Sequence, residues 1–211
     1  MRIQVLVLAK QPVTGRVKTR LCPPCTLDQA ATVAAAAIED TLDAVDACTA
    51  DARVLVVDGT VAIRPAWTAI RQTTGGLDVR VAHAFRATGR PGWASLLIGM
   101  DTPQVTPDLL DSAGRALSDA DAAFGLATDG GWWALALRDP AYADALLGIP
   151  TSRDDTGVRT LIALQHRGLK VATLPVLRDV DTAADAWAVA GAHPRGRFAA
   201  AVQASVPAAV R

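Results

Sequence analysis

Four cations, Lys10, Arg16, Lys18 and Arg20, fall within the eleven residues Lys10–Arg20 (KQPVTGRVKTR), with no acid among them. Gly15 lies between them, and a residue without Cβ lets backbone approach a ligand closely. A helix starting just beyond would add the partial positive charge of its amino end. Together these features make a cradle for phosphate. The cradle is not a P-loop, because GxxxxGK[ST] is absent. The competing reading is a solvated run of charge.

Acids occupy corresponding places further along. Asp101 sits in Gly99-Met100-Asp101-Thr102-Pro103, directly after an apolar run. A carboxylate there can ligate a hard divalent cation such as Mg²⁺ or Mn²⁺, or it can be a turn or cap residue before proline. Asp129-Gly130-Gly131-Trp132-Trp133 offers a carboxylate, two residues that free the backbone and two indoles able to stack on a sugar or base. It also reads as a plain hairpin turn. In Arg178-Asp179-Val180-Asp181-Thr182, alternation puts Asp179 and Asp181 on one face of an extended segment, so both can reach one metal. N-capping of the next helix is the alternative.

Other chemistries find little support. His83, His166 and His193 have no mutual spacing suited to a metal, and neither GxSxG nor GxGxxG occurs. Cys22-Pro-Pro-Cys25 has the spacing of a redox pair or half a zinc site, but no second pair of ligands completes it. With Cys48 the cysteines number three, which fits a reducing compartment. Lys and Arg balance Asp and Glu at 21 each, so a protein built to coat nucleic acid or an anionic membrane is not expected. No signal peptide or membrane span is read, and a cytoplasmic location is expected.

These residues need elements to carry them. Ile3–Ala9, Arg53–Val57, Trp93–Gly99, Ala122–Ala127, Trp132–Leu137 and Lys170–Leu174 read as strands, several of them continuously apolar. Between them lie helical stretches: a long one from near Thr26 to about Cys48, with Thr26 and Gln29 as a capping box, and a short one through His83 and Phe85. Further helices are read from Thr106-Pro107, over Tyr142–Leu147, over Asp155–Arg167 and from near Thr182. The region between Asp58-Gly59 and His83 reads as irregular. Alternating strands and helices predict one α/β domain over residues 1–211, with a mostly parallel Rossmann-like sheet flanked by helices. Residues 194–211 read as a C-terminal helix or a frayed tail. Ligands in such sheets bind beyond the carboxyl ends of strands, which is where all the cations and acids singled out here fall.

The opening pattern Ala9-Lys10-x-Pro12-x-x-Gly15-x-Val17-Lys18-Thr19-Arg20-Leu21 resembles that of a family of small bacterial proteins assigned as glycosyltransferases. That family lies within the nucleotide-diphospho-sugar transferase superfamily, the GT-A fold. Gly99–Pro103, Asp129–Gly131 and Asp179–Thr182 resemble its later motifs in the same order, and Gln72, Gly76, Leu77 and Arg80 an intervening segment. The resemblance spans most of the chain to about Asp185. It implies a nucleotide-binding sheet, a divalent metal at Asp101 with Asp181 as second carboxylate, and Lys18 and Arg20 on phosphate. The superfamily also contains phospholactate and molybdenum-cofactor guanylyltransferases with similarly basic opening loops. The chain departs from the family's pattern at Asp78 (usually Gly), at Trp132 and Trp133 (usually Tyr), and at Pro150-Thr151-Ser152, which stands in place of a Trp-Ser-Thr segment.

The expected function is a metal-dependent transferase, foremost a glycosyltransferase using a nucleoside-diphosphate sugar and a small-molecule acceptor, with Mg²⁺ or Mn²⁺ as cofactor. Lys10, Gly15, Arg16, Lys18, Arg20, Gly130, Gly131 and Trp132 are the expected substrate-binding residues. Asp101 and Asp181 are the expected metal ligands, and Asp129 orients the acceptor or acts as its general base. Two alternatives stand: a nucleotidyltransferase releasing pyrophosphate from a nucleoside triphosphate, and a non-catalytic nucleotide-binding protein. The composition leaves room for a homodimer.

Overall fold

The apolar opening run becomes an interior strand of the sheet. In the computed structural model, which describes residues 1–207, β1 spans Arg2–Lys10. Its side chains alternate between faces, as a pleated strand requires. Val5, Val7 and Ala9 enter one core, Leu6 and Leu8 the other. The remaining strands are β2 (Ala52–Asp58), β3 (Trp67–Arg71), β4 (Trp93–Gly99), β5 (Ala122–Leu126), β6 (Trp132–Leu137) and β7 (Val171–Thr173). They form one seven-stranded sheet in the order β3-β2-β1-β4-β6-β5-β7. Pairing is parallel except where β6 meets β4 and β5, so the sheet is mixed and mostly parallel.

Helices cover both faces. α1 (Leu27–Ala47) is closed at its start by the expected capping box, in which Thr26 and Gln29 bond each other's backbone amides. Its residues Ala34, Ile38, Leu42 and Val45 pack on the sheet with α3 (Pro107–Ala116). Its opposite side, through Ala30, Val33 and Ala37, meets α5 (Ala183–Ala192) and α6 (Arg197–Ser205), which form a third layer. Buried alanines on α1 leave room for that second set of helices. On the other sheet face lie α2 (Leu77–Thr88) and α4 (Thr156–His166), with Val81, Phe85 and Leu164 buried.

Several boundaries differ from the sequence reading. Trp67–Arg71, inside the stretch read as irregular, is edge strand β3. Tyr142–Leu147 is not an α-helix but part of a 3-10 stretch over Pro140–Leu146, opened by Pro140 and the Asp139 cap. Lys170 and Leu174 fall outside the short β7. The tail folds into α6 from Arg197 to Ser205, and residues 208–211 of it lie outside the described residues.

The chain runs outward from β1 through β2 to β3, then returns to the other side of β1 as β4. At such a reversal the loops leaving the two strands diverge and open a crevice at their carboxyl ends. Lys10 ends β1 there, and Gly99 ends β4.

Candidate functional site

The basic loop is held by its apolar residues, and its cations flank those anchors. Val17 is 5% exposed and Leu21 is fully buried, while the Thr14 hydroxyl donates to Asp28 of α1 at 2.7 Å. Gly15 turns the chain at φ 75°. A Cβ there would meet only the Leu27 side chain at 3.6 Å, so the glycine serves the turn, and it lines neither cavity described below. Lys18 follows in the left-handed region at φ 48° and leads into a 3-10 turn over Thr19–Leu21. The result is a groove of about 250 Å³ lined by Lys10, Arg16, Lys18 and Arg20 together with Met100, Asp101 and Asp181.

The acids arrive from three segments. Asp101 leaves β4. Asp129 lies in the turn between β5 and β6, where its Oδ1 accepts from the Gly131 amide at 2.7 Å. The segment 178–181 is pinned beneath Asp101, because buried Val180 donates its amide to the Asp101 carbonyl at 2.8 Å. Asp179 and Asp181 flank that anchor. The cap of α5 is Thr182 paired with Asp185, so neither flanking carboxylate is taken by capping. Asp129, Asp179 and Asp181 bring carboxylate oxygens within 4.8 Å of one another. Burial, followed by the neighbouring charges of Asp129 and Asp181, pushes the Asp179 carboxyl up to about 6. Hard oxygen donors gathered with too few cations are the donor set a Mg²⁺ or Mn²⁺ ion takes.

Asp101 stands beside this trio rather than in it. Its carboxylate is ion-paired with the Lys18 ammonium, which also donates to the Val180 carbonyl. Arg20 makes the matching contact to Asp181 at 2.6 Å. Each acid expected to hold metal is therefore paired with a cation expected to hold phosphate.

A second cavity of about 480 Å³ shares Arg20, Asp101 and Asp181 with the groove and continues past Asp129 and Asp179. One wall is apolar (Leu8, Leu77, Val81, Leu97), and Trp132 stands at the edge of the acids. The two indoles separate by alternation. Trp132 reaches this wall and leans on Phe124, with ring centroids 5.8 Å apart. Trp133 also borders the cavity but is buried, and it donates its indole N–H to the Pro175 carbonyl at 2.9 Å. Asp129-Gly130-Gly131 is the hairpin turn of the plainer reading, and it also borders the cavity. Gly130, at φ 89°, does not line the cavity. A Cβ on it would lie 1.9 Å from the Asp154 carbonyl oxygen, so its bareness lets residues 152–154 pack onto the turn.

Ser152, Arg153 and Asp154 thereby form a rim that the sequence reading did not include. Asp179, which alternation places on the same face as Asp181, lies with Asp129 and Asp181 in the acidic trio. Gln72 and Arg80 support the site from below. The Gln72 amide donates to the Ala9 carbonyl at 2.8 Å, and its Oε1 accepts from Arg80 at 3.1 Å. Asp78 accepts the Gly148 amide at 2.9 Å and ties α2 to the loop after the 3-10 stretch.

A cavity of about 510 Å³ opens at the opposite end of the sheet. Its two carboxylates are each tied to the backbone, Asp51 by the Ile3 amide and Asp111 by the Thr49 amide and hydroxyl, and they form no cluster like the acidic trio. Among the described residues no helix is long and apolar enough to cross a membrane.

Residues 28–153 match the model of a family described as "Uncharacterized protein conserved in bacteria (DUF2064)". That stretch contains Asp101 and Asp129, while the basic loop and Asp179–Asp181 lie outside it. No curated protein matches the sequence. Among solved structures, the chain is similar to a "putative nucleotide-diphospho-sugar transferase" from Desulfovibrio desulfuricans G20. Identity is 25% and the TM-score 0.88, over 97% of this chain and 95% of that one. It shares its fold with Rv0371c of Mycobacterium tuberculosis H37Rv, solved in complex with manganese (21% identity, TM-score 0.54, 90% and 98% covered). It also shares it with a CMP:2-keto-3-deoxy-manno-octonic acid synthetase complexed with CTP (10% identity, TM-score 0.59, 92% and 99% covered). The fold is that of the nucleotide-diphospho-sugar transferases.

Proposed function

The chain belongs to the DUF2064 family, and we propose that it is a metal-dependent transferase acting on a nucleotide diphosphate, foremost a glycosyltransferase using a nucleoside-diphosphate sugar. The observation that carries this reading is the meeting of opposite charges at the switch point. A groove with four cations opens into a cavity with five carboxylates, and the two share Arg20, Asp101 and Asp181. A diphosphate leaving group needs that combination. The Desulfovibrio structure, the manganese complex and the CTP complex support the same class.

A divalent cation would be held by Asp101, Asp179 and Asp181, with Asp129 beside them, and would supply neutralisation of the charge that develops on the diphosphate. Lys10 and Arg16, and with them Lys18 and Arg20, bind the phosphate oxygens. Trp132 offers an aromatic face to a sugar or base. Asp129, the most exposed of the carboxylate trio, orients the acceptor and takes its proton as general base. The cavity beyond it, with Leu77, Val81 and the rim 152–154, receives the acceptor.

A second reading, nucleotidyl transfer, is favoured by the same groove, since four cations suit a triphosphate as well as a diphosphate. The acceptor's oxygen would then attack the α-phosphorus and pyrophosphate would leave. A thermal-shift screen of nucleotides and nucleotide sugars with and without Mn²⁺ tests the shared claim. A ligand at about a hundred times its dissociation constant stabilises by roughly 2.7 kcal/mol. No shift with any of them, from a protein of intact fold, rejects both readings. Release of nucleoside diphosphate from a sugar donor, against release of pyrophosphate from a triphosphate, separates them. Affinity without turnover, unchanged in Asp101→Asn, would mark a nucleotide-binding protein that is not an enzyme.

A further inference from the structure

The pairing of cations with acids in this site is one to one, and it is made across the chain. Lys18 meets Asp101 and Arg20 meets Asp181. Lys10 and Arg16 line the same groove with no carboxylate partner among the described residues. The groove thus holds two standing cations and two that are engaged with acids. The two engaged pairs differ in depth. The Lys18 side chain is 5% exposed against 50% for Asp101, whereas Arg20 is 70% exposed. A buried ammonium needs partners, and Lys18 finds two, the Asp101 carboxylate and the Val180 carbonyl. Its backbone adopts a left-handed conformation that a residue with a Cβ rarely takes. Strain of this kind persists where the surroundings fix a residue for a purpose.

We propose that Lys18 and Arg20 are exchangeable counter-ions: they neutralise Asp101 and Asp181 in the ligand-free chain and pass to a substrate's phosphates when those carboxylates take a divalent cation. The inference rests on the reading of the site as a metal–nucleotide centre and adds how its two ligands are coupled. Metal alone must compete with an ammonium and a guanidinium already in place. Phosphate alone must draw those cations away and leave two acids without partners. When both arrive together, every charge keeps a partner. Each ligand therefore raises the affinity for the other, and by linkage the factor is the same in both directions.

Titration calorimetry tests this with Mn²⁺ alone, pyrophosphate alone, and each in the presence of the other. Pyrophosphate serves because nucleoside diphosphates and triphosphates share its chemistry. The native protein should show mutual enhancement of about tenfold or more. Lys18→Met should bind Mn²⁺ alone more tightly than the native protein does, with the enhancement reduced to about twofold or less. Arg20→Gln, at a side chain exposed enough to leave folding untouched, should change both quantities in the same direction by less. If Lys18→Met does not fold, as judged by circular dichroism, Arg20→Gln decides. Native-sized enhancement in the variants overturns the proposal, as does independent binding of both ligands by the native protein. In either case the nucleotide reading stands. Failure of the native protein to bind either ligand removes that reading and this inference with it.

Discussion

Two acidic regions of this molecule are built in opposite ways. On α1, Glu39, Asp43 and Asp46 all bond Arg64, and Arg197 from the start of α6 reaches Asp40 and Asp43. Burial works against ionisation of Asp43, yet hydrogen bonds from Arg197 and Arg64 hold its carboxyl below the usual carboxylate range. At the carboxyl ends of the strands, Asp129, Asp179 and Asp181 crowd together, Arg20 is the one cation paired with any of them among the described residues, and Asp179 rises to about 6. The first region uses acids to fasten α1 to the loop before β3 through Arg64 and to α6 through Arg197. The second keeps acids in a state that folding alone does not favour. Such groups mark places where a ligand supplies the missing charge.

The contrast can be broken in three ways. The largest effect is expected from Asp181→Asn. Turnover should fall by about a hundredfold or more, and the stabilisation of roughly 2.7 kcal/mol expected from Mn²⁺ at about a hundred times its dissociation constant should vanish. Steady-state rates and thermal denaturation with and without metal measure both, and a variant that keeps its metal-dependent shift contradicts the assignment.

Next is Arg64→Ala, which leaves three acids of α1 facing one another. The cost should be about 2 kcal/mol in denaturant unfolding, less than for a fully buried pair because its partners are partly exposed. Binding of Mn²⁺ should not change. A loss of metal affinity equal to that of Asp181→Asn would mean the two regions are not separate.

The smallest effect has the opposite sign. An acid whose carboxyl is raised by folding favours the native state below its unfolded value near 3.8, and that contribution is lost as pH climbs through about 6. Asp179→Asn should therefore make the metal-free protein more stable than the native one above pH 6, by about 1 kcal/mol after allowance for solvent screening. The difference should close toward pH 4. Paired urea titrations across that range would show it, and a variant less stable at pH 7 would contradict the picture of crowding.

Much of the frame was legible in order along the chain. β1 and β4 are apolar runs interrupted only by Gln4 and Ser95, which bond each other at 2.9 Å, and such runs mark strands buried on both faces. Thr26 with Gln29 and Thr106 with Pro107 mark helix starts by local hydrogen bonding alone, so they read correctly without tertiary information. Edge strand β3 did not, because Trp-Thr-Ala-Ile-Arg mixes polar and apolar residues. Its identity comes from pairing with β2 and from the Trp67 indole bonding Asp46 on α1. The positions of the site's charges could be read from strand ends, but their partners could not. Nothing local to Lys18 announces a left-handed backbone or a carboxylate beyond β4. The rim at 152–154 is equally silent, since it depends on a missing Cβ more than twenty residues earlier, at Gly130.

The contacts of Lys18 with Val180 and of Arg20 with Asp181 join residues 162 and 161 positions apart. This gives the protein a chronology. At synthesis rates of 5–20 residues per second, roughly ten to thirty seconds separate the emergence of the basic loop from that of its last acidic partners. Late in that interval, once Leu137 has emerged, a nascent chain can assemble β1 to β6 and still present an unbalanced, positively charged mouth. Competence is thus acquired near the end of manufacture, and a chain stalled short of residue 181 would carry the fold's hydrophobic centre without a finished place for chemistry.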